Sequence, residues 1–157
     1  MIVKEKYRND GTFGSPRILD DLEFYPDIAD IFLRNSNDNI RNIVITNQPD
    51  IQNNFLDIKT FELMNQVIFS NYSIDCIIWC PHNASQNCEC RKPKTKMFEW
   101  AIKNFKPLNQ NYRFYGDRES DGEAAKRIQA EFVHVLGNST QCNNLEHLHI
   151  DTLADQL

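Results

Sequence analysis

The sequence predicts an α/β domain built on a parallel, doubly wound sheet with helices on both faces, in three layers. Short apolar runs rich in β-branched residues alternate along the chain with stretches whose apolar residues recur at helical spacing. Polar signatures directly follow three of those runs, as expected where ligands bind at the carboxyl ends of parallel strands. The length of 157 residues suits one domain, covering 1–157.

The first half of the chain contains two predicted helices and two predicted strands. Residues 1–23 show no clear period, and apolar residues at helical spacing then predict a helix over 26–36. NIVIT (42–46) is a β-branched run that predicts a buried strand, and NQPD at its end is typical of a turn. A second helix is predicted over 57–70. DCIIWC (75–80) predicts a second buried strand, which delivers Cys80 to its end.

The second half continues the same alternation. The predicted elements are a helix over 93–105, a strand over 112–117, a helix over 119–130, a strand over 132–136, and one or two helical turns within 145–157. Pro93 is expected at the first position of its helix, where a missing backbone N–H costs nothing.

The composition restricts the class of protein. Apolar residues make up 41% and charged residues 25%, which is normal for a globular domain. No apolar run has the length of a membrane span, and the polar start MIVKEKYRND is no signal peptide, so we expect a cytoplasmic protein without a membrane partner. A net charge of −5 argues against a nucleic-acid partner but permits a small anionic substrate.

A cluster of soft metal ligands lies in CPHNASQNCEC, the loop at 80–90. Three thiols and one imidazole form the tetrahedral set that zinc prefers, contributed by Cys80, His82, Cys88 and Cys90. All four positions would be filled by protein, so the predicted site is structural and stiffens a loop with little apolar content. The alternative to a zinc site is that these four residues are unrelated and lie on the surface. Cys76 alternates with core residues of its strand and is interpreted as a buried thiol.

Polar residues at the predicted strand ends suit a phosphate. Thr46 can point its hydroxyl at an oxyanion, although an ordinary strand-end threonine is the simpler interpretation of that residue alone. Arg91 and Lys92 directly follow the last cysteine, so a zinc loop would fix their positions. Asp117 ends a predicted strand in a place typical of a Mg²⁺ ligand, whereas Asp121 could also simply favour a helix N-terminus. Together they predict a site for a Mg²⁺-bound phosphate.

Three of these motifs resemble those of the haloacid dehalogenase (HAD) superfamily of phosphatases. TNQ (46–48) is similar to the second motif, CPHNASQNCECRKP to a zinc loop followed by the third motif, and GDRESDGEAA (116–125) to the fourth. The zinc loop with RKP narrows the resemblance to the branch of D-glycero-D-manno-heptose-1,7-bisphosphate 7-phosphatase and histidinol-phosphate phosphatase. The likeness covers about residues 16–137 and implies a HAD-like fold with no separate cap domain.

The resemblance implies a Mg²⁺-dependent phosphatase for a small phosphorylated sugar or for histidinol phosphate. Lys92 would have a catalytic role in stabilising the phosphate, and Asp117, with Asp121, would bind Mg²⁺. The implied substrate-binding residues are Thr46, Asn47, Gln48, Arg91, Lys92 and Arg118. Zinc would be structural and Mg²⁺ functional.

The family's first motif has no clear counterpart in the chain. That motif is an apolar strand ending in DxDG(T/V), whose first aspartate is the nucleophile and whose second is the general acid and base. RNDGT, the nearest string, puts Arg8 at the nucleophile and leaves Asp10 for the second role. In another alignment DGTFGSPR (10–17) resembles a loop that follows the motif in relatives, and the motif itself is absent.

Three accounts of the missing nucleophile remain open. The chain could begin downstream of the true first strand, which predicts a sheet lacking its centre. It could bind a phosphorylated ligand or a protein partner without turnover. An unexpected carboxylate, with Asp10 the first candidate, could stand in as the nucleophile.

Overall fold

Helices and strands alternate along the computed structural model, which describes residues 2–25, 28–108 and 112–135. The helices are α1 (Ile28–Asn37), α2 (Pro49–Gln52), α3 (Ile58–Asn71), α4 (Lys96–Phe105) and α5 (Glu119–Arg127). The strands are β1 (Lys6–Tyr7), β2 (Phe13–Gly14), β3 (Ile43–Asn47), β4 (Cys76–Cys80), β5 (Arg113–Gly116) and β6 (Glu131–His134). The predicted helical turns within 145–157 lie outside the described residues.

The strands after the first helix pair in parallel, which confirms the predicted α/β class. β3 pairs with β4 and β5 pairs with β6, both in parallel register. Within the described part of the chain, these pairs form two separate two-stranded sheets and not the single continuous sheet that was expected. The two parallel sheets are therefore separated from each other, because β3 and β5 do not pair.

The N-terminal residues lie outside both parallel sheets. β1 and β2 form an antiparallel hairpin, in which Lys6 is opposite Gly14 and Tyr7 is opposite Phe13. Val3 makes an isolated antiparallel bridge to Phe24. The segment MIVKEKY therefore does not supply a central parallel strand, in keeping with its low apolar content.

Two local predictions around the site were wrong. A short helix, α2, replaces the turn expected at NQPD, with Pro49 at its start. Helix α4 begins at Lys96 and not at Pro93. The reason is a long-range contact, because the Asn47 side chain bonds both the backbone N–H and the carbonyl of Lys92 and holds that segment outside the helix.

Two apolar clusters hold the helices on the sheets. Ile28 and Ile31 of α1 pack with Val135 directly after β6. Phe61 and Met64 of α3 pack with Leu56, and Trp79 of β4 lies against this second cluster. The helices thus cover the strands while the carboxyl ends of β3, β4 and β5 stay accessible to the polar loops. No helix among the described residues is long and apolar enough to cross a membrane.

Candidate active site and metal centre

The four predicted zinc ligands converge in the structure. The ligand atoms of Cys80, His82, Cys88 and Cys90 all lie within 4.8 Å of one another. Cys90 Sγ is 3.2 Å from Cys80 Sγ and 3.3 Å from Cys88 Sγ, and His82 Nδ1 is 3.3 Å from Cys90 Sγ. Two sulfurs that bind one tetrahedral zinc at about 2.3 Å are separated by about 3.8 Å, so the cluster need expand only slightly. The four residues fit a closed, structural zinc site.

Turns of the backbone within the loop, and not packing against a large hydrophobic core, position the four zinc ligands. β4 ends at Cys80, which is fully buried. A single turn of 3₁₀ helix follows, in which the Gln86 side chain accepts the Asn83 backbone N–H at 3.0 Å. Asn87 then takes a left-handed backbone conformation (φ 43°), and Lys94 Nζ donates to its carbonyl at 3.0 Å. The reversal at Asn87 brings the second pair of ligands back onto the first.

The thiols of the cluster differ in their proton affinity. Burial, together with the hydrogen bond from Cys90, raises the pKa of Cys80 to about 12. At Cys88 burial acts in the same direction, but the Arg91 backbone N–H and the neighbouring thiols outweigh it and lower the pKa to about 7. Since zinc binds the thiolate, Cys88 offers its thiolate more readily than Cys80 does at neutral pH.

Lys92 connects the two parallel sheets. Its Nζ donates to the Ile45 carbonyl of β3 at 2.8 Å and lies 2.7 Å from Asp121 Oδ1 at the start of α5. The ammonium also lies 5.3 Å from the centre of the Phe114 ring in β5. The side chains of Lys92 and Asp121 are only 10% and 5% exposed, so the ion pair is largely desolvated. A cation is thus fixed between the carboxyl ends of the two sheets.

The TNQ motif joins β3 to the zinc loop. Asn47 Oδ1 accepts the Lys92 backbone N–H at 3.0 Å, and its Nδ2 donates to the Lys92 carbonyl at 3.2 Å. Gln48 donates its backbone N–H to the Cys80 carbonyl at 2.7 Å, and its side-chain amide to the Thr46 hydroxyl at 3.1 Å. Asn47 and Gln48 therefore hold the framework, and Thr46 keeps its hydroxyl hydrogen available as a donor.

Two carboxylates follow β5. Burial, and then the neighbouring Asp121 carboxylate, raise the pKa of Asp117 above its ordinary value. Asp121 Oδ2 accepts the Arg118 backbone N–H at 3.2 Å, so the predicted helix-start role applies to that oxygen. A Cβ on Gly116 would lie 2.5 Å from Asp121 Cβ, and only glycine permits this close approach.

The carboxylates suit a divalent cation. Asp121 Oδ1 is buried and, among the described residues, has no donor in hydrogen-bonding geometry, although the Lys92 ammonium is near. Asp117 is also largely buried, with Arg118 Nε 3.6 Å from its Oδ2. Buried carboxylate oxygens short of donors are the ligands that Mg²⁺ takes, and a cation would favour their ionised forms. The residues present therefore fit Mg²⁺.

The predicted substrate-binding residues line one cavity at the carboxyl ends of β3 and β5. The cavity has a volume of 1660 Å³ and is lined at this end by Thr46, Asn47, Gln48, Arg91, Lys92, Asp117, Arg118 and Asp121. Arg91 Nη1 donates to the His82 carbonyl at 3.0 Å, which ties this guanidinium to the zinc loop. Arg118 pairs with Glu5, whose side chain is only 6% exposed.

Asp10 lies apart from this group. It sits in the turn of the β1–β2 hairpin, where its Oδ1 accepts the Thr12 backbone N–H at 2.9 Å and the Thr12 hydroxyl at 2.6 Å. These hydrogen bonds lower the pKa of Asp10 below its ordinary value. Arg8 also belongs to the hairpin and follows no parallel strand. This placement agrees with the alignment in which DGTFGSPR is a loop.

Asp50 is a site-lining residue that sequence reasoning missed, and it is paired with two arginines. Asp50 Oδ2 accepts from Arg17 Nε at 2.8 Å and from Arg8 Nη2 at 3.1 Å, and the Arg17 guanidinium lies 4.3 Å from the Phe55 ring centre. Arg8 and Asp50 line the cavity. The only signal was the acid in NQPD, because partners 33 and 42 residues away leave no local pattern.

Comparison with known sequences places the chain among phosphatases. A family model described as HAD-hydrolase-like matches residues 89–157. A Thermoplasma volcanium protein named "Probable D-glycero-D-manno-heptose-1,7-bisphosphate 7-phosphatase" is 36% identical over 118 residues, 71% of this chain and 81% of the relative. A Helicobacter pylori D-glycero-beta-D-manno-heptose-1,7-bisphosphate 7-phosphatase is 28% identical and matched over 82% of both chains. The histidine biosynthesis bifunctional protein HisB of Buchnera aphidicola is 30% identical, over 68% of this chain and 32% of the relative.

The fold has a close counterpart among solved structures. A D,D-heptose 1,7-bisphosphate phosphatase from B. bronchiseptica, complexed with magnesium and phosphate, superimposes with a TM-score of 0.72 at 19% identity, covering 85% of this chain and 75% of that one. The match confirms the HAD-like fold predicted from the motifs. With the sequence relatives, it shows that the chain belongs to the haloacid dehalogenase superfamily, in the branch of heptose-bisphosphate and histidinol-phosphate phosphatases.

Proposed function

We propose that the chain is a Mg²⁺-dependent phosphomonoesterase for a small phosphorylated sugar such as heptose 1,7-bisphosphate, or for histidinol phosphate. One observation carries the proposal. The buried ammonium of Lys92 and the buried carboxylates of Asp117 and Asp121 line the same cavity at the strand ends. A cation that can bind phosphate beside ligands for Mg²⁺ is the arrangement that phosphoryl transfer needs.

Different residues around the cavity would bind different parts of the substrate. Lys92 provides a point charge, and Thr46 a hydroxyl donor, for the oxygens of the phosphoryl group that leaves. Arg91 and Arg118, at the zinc loop and after β5, present guanidinium groups to the rest of the substrate. The zinc ligands act indirectly, since a zinc-fixed loop holds Arg91 and Lys92 in place.

Asp117 and Asp121 would hold Mg²⁺. The ion would neutralise phosphate charge and orient the leaving group when it is bound. Burial and the neighbouring Asp121 carboxylate raise the pKa of Asp117, so its carboxyl takes up a proton at a higher pH than an exposed aspartate does, and Mg²⁺ binding should weaken as the pH falls.

A second candidate function is binding without turnover. It is supported by the position of Asp10, whose carboxylate is used by Thr12 in a hairpin turn. Among the described residues, no strand pairs with both β3 and β5 and so brings an aspartate to the centre of the sheet at its carboxyl end. Without a nucleophile, the same cavity would capture a phosphorylated ligand or the phosphorylated part of a partner.

The test is phosphate release from heptose 1,7-bisphosphate and from histidinol phosphate, with and without Mg²⁺, in parallel with calorimetric binding of each compound. Asp117→Ala should lower turnover by about a thousandfold, because one metal ligand is lost. The matched control is Glu119→Ala, which removes an exposed carboxylate two residues away and should change nothing. Asp10→Asn tests the remaining candidate nucleophile.

The outcomes separate the two functions. Mg²⁺-dependent release that Asp117→Ala abolishes supports the phosphatase, and loss in Asp10→Asn as well assigns the nucleophile. Binding that needs Lys92 but gives no release supports the second function. Neither binding nor release, from folded protein loaded with zinc, contradicts both.

A further inference from the structure

We propose that Arg8 determines substrate specificity by binding a second phosphate of the substrate, at the end remote from the phosphoryl group that leaves. The inference rests on the proposed phosphatase function and deepens it, because it selects substrates with two phosphates over substrates with one. Arg8 belongs to none of the three matched motifs, and the binding roles described so far leave it out.

Two acceptors hold the guanidinium of Arg8 in one orientation. Its Nη2 donates to Asp50 Oδ2 at 3.1 Å and to the Ser15 carbonyl at 3.0 Å. A Cβ at Gly14 would collide with the guanidinium, so glycine at that position leaves room for it. The side chains of Arg8 and Asp50 are only 21% and 18% exposed. Arg8 therefore lines the cavity as a fixed, partly buried cation, and an anion that binds it has little side-chain entropy to overcome.

Part of this guanidinium has no acceptor. A guanidinium carries five N–H donors in a planar fork. Both contacts of Arg8 with Asp50 and Ser15 use Nη2, and among the described residues no hydrogen-bond acceptor is found for its Nε or Nη1. Donors thus remain on a residue that lines the cavity. Phosphate oxygens are the acceptors that bind such donors most strongly.

The charges around Arg8 leave a positive excess. Arg17 Nε also donates to Asp50 Oδ2, so one carboxylate serves two guanidinium groups. Asp10 is a further acid near both arginines, but it is exposed, and its Oδ1 accepts two hydrogen bonds from Thr12. Water screens an exposed carboxylate more than a partly buried one. The cluster can therefore bind one more anionic group on its cavity side.

The two arginines of the cluster differ in where they lie. The Arg17 guanidinium packs against Phe55, 4.3 Å from the ring centre. Arg8 lines the cavity, whereas Arg17 is not one of the described residues that do. Because both share Asp50, a role in holding the hairpin applies to both, and a role in binding substrate applies to Arg8 alone.

The same short stretch of chain carries the predicted phosphate site and the partner of Arg8. Thr46 lies in β3, and Asp50 follows it by four residues, in α2. Four residues of chain span at most about 14 Å. Thr46, Asp50 and Arg8 all line one cavity. A sugar that is phosphorylated at both ends suits two binding positions set apart in this way.

The chemistry of Arg8 distinguishes the two substrates of the proposed function. Heptose 1,7-bisphosphate carries a second phosphate, whereas the remote end of histidinol phosphate carries an amine and an imidazole. A phosphate would pair with the guanidinium, and an ammonium group would be repelled by it. The cavity therefore favours a bisphosphorylated sugar, with the reacting phosphate at Lys92 and the other phosphate at Arg8.

The experiment compares heptose 1,7-bisphosphate with heptose 7-phosphate, which lacks only the second phosphate. The full chain is loaded with zinc and assayed with Mg²⁺ for phosphate release, and calorimetry measures the affinity for each compound. Arg8→Gln should lower kcat/KM for the bisphosphate by about thirtyfold, mainly through KM, because a charge-assisted contact with the unreacting end is lost. The values for heptose 7-phosphate and for histidinol phosphate should change by less than about threefold.

Arg17→Gln is the matched control. It removes the other guanidinium from Asp50 and should loosen the hairpin about as much as Arg8→Gln does, which thermal unfolding measures. The ratio of kcat/KM for the bisphosphate to that for heptose 7-phosphate should nevertheless stay within about threefold of the wild-type ratio. Arg8→Lys keeps the charge but loses the planar fork, so it should recover part of the ratio that Arg8→Gln loses.

Three outcomes in the assay of phosphate release would overturn the inference. Equal losses for both heptose phosphates in Arg8→Gln would mean that Arg8 only holds the hairpin. The same loss of ratio in Arg17→Gln would mean that contact with Arg8 does not select the substrate. Wild-type protein that prefers histidinol phosphate to the bisphosphate would exclude a second phosphate site.

Calorimetry separates failure of this inference from failure of the proposed function. If no phosphate is released from any compound, the phosphatase function fails, but the affinities still decide the role of Arg8. Tighter binding of the bisphosphate than of heptose 7-phosphate, lost in Arg8→Gln and kept in Arg17→Gln, supports the inference. Equal affinities, or no binding of either compound, overturn it.

Discussion

The zinc loop and the N-terminal hairpin are both short segments beside the cavity, and the structure holds them in different ways. The loop at 80–90 closes on its own four ligands, and its backbone turns are fixed by neighbours within a few residues. The hairpin exposes 69% of Tyr7 and 40% of Phe13 and is joined to the framework by Arg8. The zinc loop is therefore specified by residues near one another in the chain, whereas the hairpin is held on the framework by a distant contact, that of Arg8 with Asp50.

The largest expected effect comes from removing a zinc ligand. Cys88→Ser should lose the zinc and destabilise the fold by about 4 kcal/mol or more, because a structural metal contributes its binding energy to folding. Metal analysis together with thermal unfolding measures both changes. Cys76→Ser is the matched control, since its half-buried thiol lies outside the cluster. If wild-type protein without zinc is as stable as the zinc-loaded protein, zinc does not hold the loop, and the contrast between the loop and the hairpin is lost.

The next largest effect concerns the ion pair that spans the two sheets. Asp121→Asn leaves the Lys92 ammonium buried without its counter-charge, and we expect a loss of about 3 kcal/mol in the free energy of unfolding. Glu99→Gln breaks the exposed pair with Lys96 and should cost less than about 0.5 kcal/mol. Urea unfolding at neutral pH compares the two variants. Equal costs would mean that Lys92 is solvated and does not hold the sheets together.

Sequence patterns identified what depends on near neighbours in the chain. The runs NIVIT and DCIIWC became β3 and β4 within a residue of the predicted ends, because apolar runs with β-branched residues favour an extended strand. The prediction that these strands are buried was wrong, since β3 is half-buried throughout and only Cys80 of β4 is buried. The four zinc ligands could be identified because their spacing is itself the signal.

Features that depend on contacts between residues distant in the chain could not be predicted from sequence patterns. Helix α4 begins three residues later than predicted because Asn47, 45 residues earlier than Lys92, holds that segment. Asp50 is paired with Arg8 and Arg17, which no periodicity connects to it. The separation of the two sheets between β3 and β5 could not be predicted from local patterns either. The sequence of each strand is that expected of a strand with a partner on both sides.

A moderate effect is expected where the zinc loop and β3 meet. Asn47→Ala removes two hydrogen bonds to the Lys92 backbone and should cost about 2 kcal/mol, because a partly buried N–H and carbonyl lose their partners. Asn104→Ala, which removes an exposed bond to the Trp100 carbonyl, is the control and should cost little. If Asn47→Ala also weakens phosphate binding while leaving zinc in place, Asn47 positions Lys92. Unchanged binding would restrict Asn47 to a role in stability.

The smallest effect is expected in the hairpin. Phe13→Ser removes an exposed ring whose centre lies 5.1 Å from that of Tyr7, and such a pair contributes about 0.5–1 kcal/mol. The cost should stay within that range, and zinc content should be unchanged, since neither residue belongs to the four-ligand cluster. A loss comparable to that of Asp121→Asn would show that the hairpin supports the parallel sheets. The contrast between the two segments would then disappear, because the N-terminal region would be as firmly built into the fold as the zinc loop.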